Sequence, residues 1–249
     1  MSNLIKRPGA WLSLLAAMML GLSGTVALAD ENAKTISDRL TKNIPGLSIA
    51  SVRESDAPGL YEVETSTGET VYATENGKFL LTGDLLQVTD SGIANVTESR
   101  RATRRADMLA EFGNSGAISF PAEGEEKAVV AVFTDIDCPY CRKLHDEMPR
   151  LNKLGITVEY YGFPRSGPGT PSFRKYESVW CSDEQAEAMT AAKQGRQVVA
   201  KTCENPVRAQ FELGGRIGVT GTPAIVLEDG SMVRGYVPAE KLAESLGLL

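Results

Sequence analysis

Two cysteines three positions apart, Cys138 and Cys141, follow closely on an uninterrupted apolar run at residues 128–133. No other feature limits the fold so strongly. A continuous apolar run is what a strand buried on both faces requires. After Cys141, Leu144, Met148 and Leu151 recur on one side of a helix over roughly 141–152. Cys138 is thereby placed at a strand-to-helix junction. Unpaired backbone N–H groups and the helix dipole favour negative charge there. That lowers the pKa of a thiol, and the thiolate is the attacking species. Cys141, one turn on, is within bonding reach of Cys138. Pro139 suits a first helical turn, where a missing N–H does little harm. The Pro139-Tyr140 pair tunes how strongly the helix start holds the thiolate, and so the redox poise.

Other uses of the two cysteines fit less well. A zinc knuckle needs four Cys or His ligands. The remaining cysteines, Cys181 and Cys203, are not spaced as Cys-x-x-Cys, and the one histidine, His145, follows Cys141 on the helix. An inert cross-link over so short a loop contributes little stability. No cofactor is called for.

Compartment decides whether such a pair persists. Residues 1–29 read as a secretory signal peptide: Lys6 and Arg7, an apolar core over roughly 11–22, and Ala27-Leu28-Ala29 as the cleavage site. Cleavage after Ala29 takes the net charge from −6 to −8, which disfavours a nucleic-acid partner. All four cysteines remain, an even number in an oxidising compartment. Cys181 and Cys203 read as a structural disulfide; closing such a loop is worth roughly 3 kcal/mol. A resolving or regulatory role is the alternative.

The rest divides into three segments. Residues 30–96 read as a small α+β unit. Ile36, Leu40 and Ile44 mark a helix stopped by Pro45-Gly46. Short β-type runs follow at 47–52, 60–64, 70–73 and 79–81, with Asn76-Gly77 predicting a type I′ hairpin turn. A unit this small gains from pairing with a second copy. Residues 97–116 predict a polar linker helix in which Arg100, Arg101, Arg104 and Arg105 form a solvated face. Residues 117–249 alternate strand and helix: a strand at 128–133, a helix, a strand at 156–161, a helical stretch at 165–215, a hairpin at 224–236 and a last helix at 238–246. That is the order of a thioredoxin-like domain with a helical insertion.

Thr220-Gly221-Thr222-Pro223 precedes the strand at 224–227, where Pro is otherwise unwelcome. A cis peptide is the usual reason. In thioredoxin-like folds this loop faces the Cys-x-x-Cys, and the residue before the Pro can pair with an extended substrate strand. His145 is either a proton shuttle or a packed residue. Asp135 and Asp137 would either accept a proton or push the thiol pKa up by like charge.

The run Phe133-Thr134-Asp135-Ile136-Asp137-Cys138-Pro139-Tyr140-Cys141-Arg142-Lys143-Leu144-His145, together with Gly218-Val219-Thr220-Gly221-Thr222-Pro223-Ala224-Ile225-Val226-Leu227, resembles the DsbC family of periplasmic protein-disulfide isomerases. The similarity extends over the mature chain, including Thr74-Glu75-Asn76-Gly77-Lys78 and the Cys181–Cys203 spacing. It implies a V-shaped homodimer paired through cystatin-like N-terminal domains. It implies a cleft for misfolded disulfide-containing secreted proteins, and a membrane reductase of the DsbD type that keeps Cys138 and Cys141 reduced. Thr222, Pro223, Pro139 and Tyr140 would contact substrate. The family's usual dipeptide between the cysteines is Gly-Tyr; Pro139-Tyr140 is that of the related DsbG, a reductant of sulfenylated cysteines with holdase activity. That activity, a holdase whose thiols are secondary, and a DsbA-like oxidase are the competing readings.

Overall fold

The computed structural model describes residues 23–249 apart from residue 115, with side chains from 31 onward. The positive and apolar parts of the expected signal peptide lie outside the described residues. Among the described residues no helix is long and apolar enough to cross a membrane. The chain forms two compact units. One runs through α1 and four strands to Thr82, and the other takes Ser66–Thr70 and Gly83–Leu249.

In the first unit, helix α1 (Ser23–Asn43) packs on an antiparallel sheet of order β1-β2-β3-β4. The strands are β1 (Ile49–Glu54), β2 (Leu60–Thr65), β3 (Thr70–Thr74) and β4 (Leu80–Thr82). Gly46, at φ 79°, ends the α1 segment as Pro45-Gly46 predicts. The core is small: Ile36 and Leu40 from the helix meet Tyr61, Val63 and Ala73 from the sheet. The turn at Asn76-Gly77 departs from type I′, because only Gly77 has positive φ. The Asn76 side chain explains it. Its Oδ1 accepts from Lys78 N at 2.9 Å and from Thr74 Oγ1 at 3.0 Å, closing the turn without a left-handed Asn.

The second unit opens with a hairpin that the sequence pattern missed, β5 (Leu86–Thr89) and β6 (Gly92–Asn95). Its residues are almost all exposed, so no buried face imposes an alternation to read. Asn95 caps helix α2 (Val96–Phe112), accepting from Glu98 N at 2.9 Å. The arginine face of α2 is not wholly solvated. Arg105 is 2% exposed, its Nε donates to Gly230 O at 2.6 Å, and its guanidinium pairs with Glu98. One polar contact to a remote turn turns an apparent surface residue into an anchor.

The main sheet has the order β11-β10-β8-β9-β7. Its strands are β7 (Ile118–Phe120), β8 (Ala128–Thr134), β9 (Ile156–Gly162), β10 (Ala224–Val226) and β11 (Met232–Arg234). Only β8 and β9 pair in parallel, with Ala128 opposite Ile156 and Thr134 opposite Gly162. Side-chain alternation splits the core between the two faces. Val130, Val132, Val158, Tyr160 and Ile225 point to one. There they meet α3 (Pro139–Asp146), α4 (Met148–Lys153), α5 (Pro171–Trp180), α6 (Gln185–Lys193) and α8 (Ala239–Ser245). Phe133, Tyr161, Ala224 and Val226 point to the other, against α7 (Val207–Arg216) and the end of α2. This is a thioredoxin-like domain with a helical insertion.

Two further details differ from the sequence pattern. The helix expected over 141–152 breaks at Glu147, because Pro149 cannot continue it, and becomes α3 and α4. The stretch 165–215 is not continuously helical: residues 194–206 have no regular structure apart from turns. Cys203 lies in that irregular segment and is bonded to Cys181, the residue ending α5, so the disulfide ties the loop to the insertion.

Gly230 has φ 79°, and a Cβ there would collide with the Ala102 carbonyl of α2. A left-handed conformation costs a non-glycine residue about 1–2 kcal/mol before any clash. Gly230→Ala is expected to destabilise the second unit by more than about 2 kcal/mol in urea unfolding. An unchanged midpoint would refute the Arg105–Gly230 anchoring of α2.

Candidate active site

The site is built where β8 ends. Cys138 is the N-cap of α3, in extended conformation, with Pro139 in the first turn. The helix offers no side-chain cap, so its first amides are available. Those of Cys141 and Tyr140 favour a negative charge on the Cys138 sulfur. The Thr222–Pro223 peptide is cis, as the sequence suggests. The loop faces the pair as expected: Cys138 Sγ donates to Thr222 O at 3.3 Å. Thr222 Oγ1 is buried and has no partner of its own. It is therefore free to donate once Cys138 ionises.

Burial raises the pKa of Cys138, but the amides of Cys141 and Tyr140 and the Thr222 hydroxyl outweigh it, and the net shift is downward. Cys141 moves the other way. It is fully buried, and loss of hydration raises its pKa despite the opposing effect of Lys193. Its Sγ accepts from Asp135 N at 3.4 Å. The two thiols are free, so the pair is dithiol. Cys138 is itself 2% exposed, yet its chain neighbours Asp137, Pro139 and Tyr140 are exposed, as are Thr220 and Gly221 before the facing Thr222. The thiol lies just beneath the surface.

The two aspartates are both engaged. Asp135 is buried, accepts from Asp137 N at 2.9 Å, and pairs with Arg165 Nε at 2.9 Å. Asp137 pairs with Lys175 and with Arg142. Burial raises the Asp137 pKa, and these cations, Lys175 foremost, bring it below the usual carboxylate value. Sequence spacing could not have supplied Arg165 and Lys175, which reach the site from the segment after β9 and from α5.

His145 is a packed residue. Thr190 Oγ1 donates to Ala186 O at 2.9 Å, so its oxygen must accept from His145 Nε2 at 3.0 Å. Nδ1 then accepts from Tyr160 OH at 3.2 Å. Burial, reinforced by Lys193, pushes its pKa down to about 4. It carries no proton to shuttle near pH 7. Lys193 was invisible to pattern reading. Its side chain reaches under the site from the end of α6 and is buried. Among the described residues no cluster of His, Cys, Asp and Glu could hold a metal ion.

Comparison with known proteins adds an independent line. Residues 120–248 match the thioredoxin-like domain model, and residues 25–98 match the model of the disulfide bond isomerase protein N-terminal domain. The thiol:disulfide interchange protein DsbC of Dickeya dadantii is 39% identical, the alignment covering 94% of this chain and 93% of that protein. The DsbC protein of Escherichia coli is 33% identical, with 94% of each chain covered. A linker-deletion variant of Proteus mirabilis ScsC, a solved structure, superposes with a TM-score of 0.50 at 18% identity, covering 61% of this chain and 85% of that one. That likeness concerns the fold alone.

Two predictions follow from the electrostatics. The Cys138 thiolate, followed by ultraviolet absorbance against pH, is expected to titrate below the ordinary thiol range. A hydrogen bond to a charged group contributes about 1.5 kcal/mol, so Thr222→Val should raise that midpoint and slow alkylation at pH 7 by up to about tenfold. An unmoved midpoint would remove Thr222 from the site's electrostatics. The second concerns His145, whose folded pKa of about 4 lies below the unfolded value of 6.5. Between those values the unfolded chain binds a proton that the folded one refuses. Stability therefore falls as pH drops from about 6.5 to about 4, by roughly 3 kcal/mol in all, and no further below that. Urea unfolding should show a shallower pH dependence in this window for His145→Gln.

Proposed function

The chain belongs to the DsbC family of thiol:disulfide interchange proteins, and on that premise we propose that it is a disulfide isomerase and reductase of misfolded secreted proteins, with Cys138 attacking and Cys141 resolving. The observation that carries this reading is the opposite treatment of the two thiols. Cys138 is stabilised as a thiolate at the start of α3, while burial keeps Cys141 protonated. A nucleophile should be ionised before it meets substrate; a resolving thiol should wait.

In the proposed cycle the Cys138 thiolate attacks one sulfur of a wrong substrate disulfide. A Cys138–substrate disulfide forms and the other substrate sulfur leaves as a thiolate. A second substrate thiolate can then displace Cys138, which completes isomerisation with no net redox change. Otherwise Cys141 attacks Cys138, releasing reduced substrate and leaving a Cys138–Cys141 disulfide. A membrane reductase of the DsbD type would return that disulfide to the dithiol. Thr222 and Pro223 would align the substrate strand, with Pro139 and Tyr140, the latter 63% exposed, as the opposing contact. Cys181–Cys203 serves structure by holding the irregular segment of the insertion.

The reading extends to assembly and location. Residues 30–96 would form the pairing domain of a homodimer, 97–116 the linker and 117–249 the catalytic domain. Support comes from the first unit itself: its core is small, and Phe79, Leu80 and Leu81 are exposed on and beside its edge strand β4. Export to the periplasm with cleavage after Ala29 rests on the sequence pattern of residues 1–29 and on the need for a persistent Cys181–Cys203 bond.

Refolding of a scrambled multi-disulfide protein tests the proposal. Cys138→Ala should abolish the activity, and Cys141→Ala should accumulate the mixed disulfide on Cys138. Deleting residues 30–96 should leave a monomer that reduces but scarcely isomerises. Full refolding activity in a Cys138→Ala, Cys141→Ala double variant would sink the enzyme reading in favour of a holdase.

A further inference from the structure

Lys193 poses a question that packing alone does not answer. A lysine this deeply buried is disfavoured unless its charge is balanced. Lys193 is 3% exposed, and among the described residues no carboxylate pairs with it. Its Nζ donates to Thr134 Oγ1 at 2.6 Å and to Asp135 O at 3.1 Å, and lies 5.3 Å from the centre of the Tyr160 ring. These are neutral partners, and methionine would fill the same volume without a charge to desolvate.

The arrangement acquires a purpose through Thr134. The Thr134 hydroxyl accepts from Lys193 Nζ and favours a charge on the Cys141 sulfur. The backbone of Asp135 serves both as well: its N–H donates to Cys141 Sγ and its C=O accepts from Lys193. We propose that Lys193, acting through the Thr134 hydroxyl, is the buried proton acceptor that allows Cys141 to become a thiolate as it attacks the Cys138–substrate disulfide. Lys193 is thus a positioning residue for the resolving step. The inference rests on the reading of Cys141 as the resolving thiol.

The step balances. Neutral Lys193 accepts the Thr134 hydroxyl proton on Nζ as Thr134 Oγ1 takes the proton from Cys141. The Cys141 sulfur bonds to Cys138, the Cys138–substrate bond breaks, and its electron pair leaves on the substrate thiolate. The substrate sulfur is reduced and the cysteine pair oxidised, with the proton held on Lys193. Burial brings Lys193 down to about 8 and pushes Cys141 up, so acceptor and donor are drawn together. The other groups whose charge or ring reaches Lys193 are Cys138, Arg142 and His145 on α3, Asp135 after β8, and Tyr160 on β9. Arg142 and Asp135 have ion-pair partners of their own, His145 is held neutral, and burial keeps Tyr160 protonated. Cys138 ionises at the helix start. Cys141 is the group left to exchange with Lys193.

Stopped-flow reaction of the reduced, full mature protein with Ellman's disulfide separates the steps. Attack by Cys138 releases one thionitrobenzoate, and resolution by Cys141 releases a second. Proton transfer of this kind contributes about a hundredfold or more. Lys193→Met should leave the first phase within about twofold and slow the second at least about tenfold at pH 7, abolishing its rise to a plateau near pH 8. Lys193→Arg keeps the charge but cannot accept a proton, and should not restore the second phase. A normal second phase in either variant would overturn the proposal. Loss of the second phase in Cys141→Ala is the control: if it persists there, the resolving role itself is wrong. Nitrogen NMR of Lys193 in the unmutated protein needs no folded variant. Titration of Nζ near 8 supports the proposal, and an ordinary lysine value would overturn it.

Discussion

The Thr134-Asp135 pair at the end of β8 fixes the geometry of everything around the thiols. Thr134 O accepts from Phe163 N at 2.9 Å and from the Tyr176 hydroxyl. Asp135 N reaches Cys141, and Asp135 O reaches Lys193. The Asp135 carboxylate holds Asp137 N and both the amide and the guanidinium of Arg165. These two residues thus gather α3, α5, α6 and the segment after β9. Because β8 is the central strand, between β10 and β9, that point cannot drift without disturbing two ladders.

From this anchor the two cysteines receive different environments over one helical turn. Cys138 is the N-cap, where unpaired amides converge, and the hydration it loses is outweighed by those amides together with the Thr222 and Cys141 side chains. Cys141 is already inside the helix, where its neighbours are the apolar core and a few fixed donors, and lost hydration wins. The difference follows from position along α3 rather than from any difference in the residues. Pro139 preserves it, since a proline in the first turn removes no hydrogen bond the helix needs.

The part of the site that lies along the chain was legible in the sequence. An apolar run, Cys138-Pro139-Tyr140-Cys141 and Thr222-Pro223 each carry a local reason for being where they are, and the structure brings them together. The parts that cross between elements were not. Lys193 sits at the end of an alanine-rich helix where a lysine reads as solvated surface, and only the fold turns it inward. Arg105 was hidden among four arginines for the same reason, its partner lying at Gly230. The hairpin β5–β6 escaped because exposed strands carry no burial period, and the Asn76 turn because a side-chain acceptor replaced the backbone conformation the dipeptide usually signals.

The first unit shows the same logic from the side of stability. Among the described residues, a core cluster of five buried apolar side chains cannot offset much conformational entropy, and small cores are marginal on that account. Its sheet leaves β1 and β4 as edges, and all three residues of β4 are exposed, two of them leucines. An edge with unpaired amides and apolar side chains invites another strand, and soluble proteins guard such edges with charge, proline or a bulge. The sequence places Phe79-Leu80-Leu81 there instead, with Lys78 alone before it. In the proposed homodimer, pairing would complete such a unit, and the driving force for assembly would be the burial that its own core lacks.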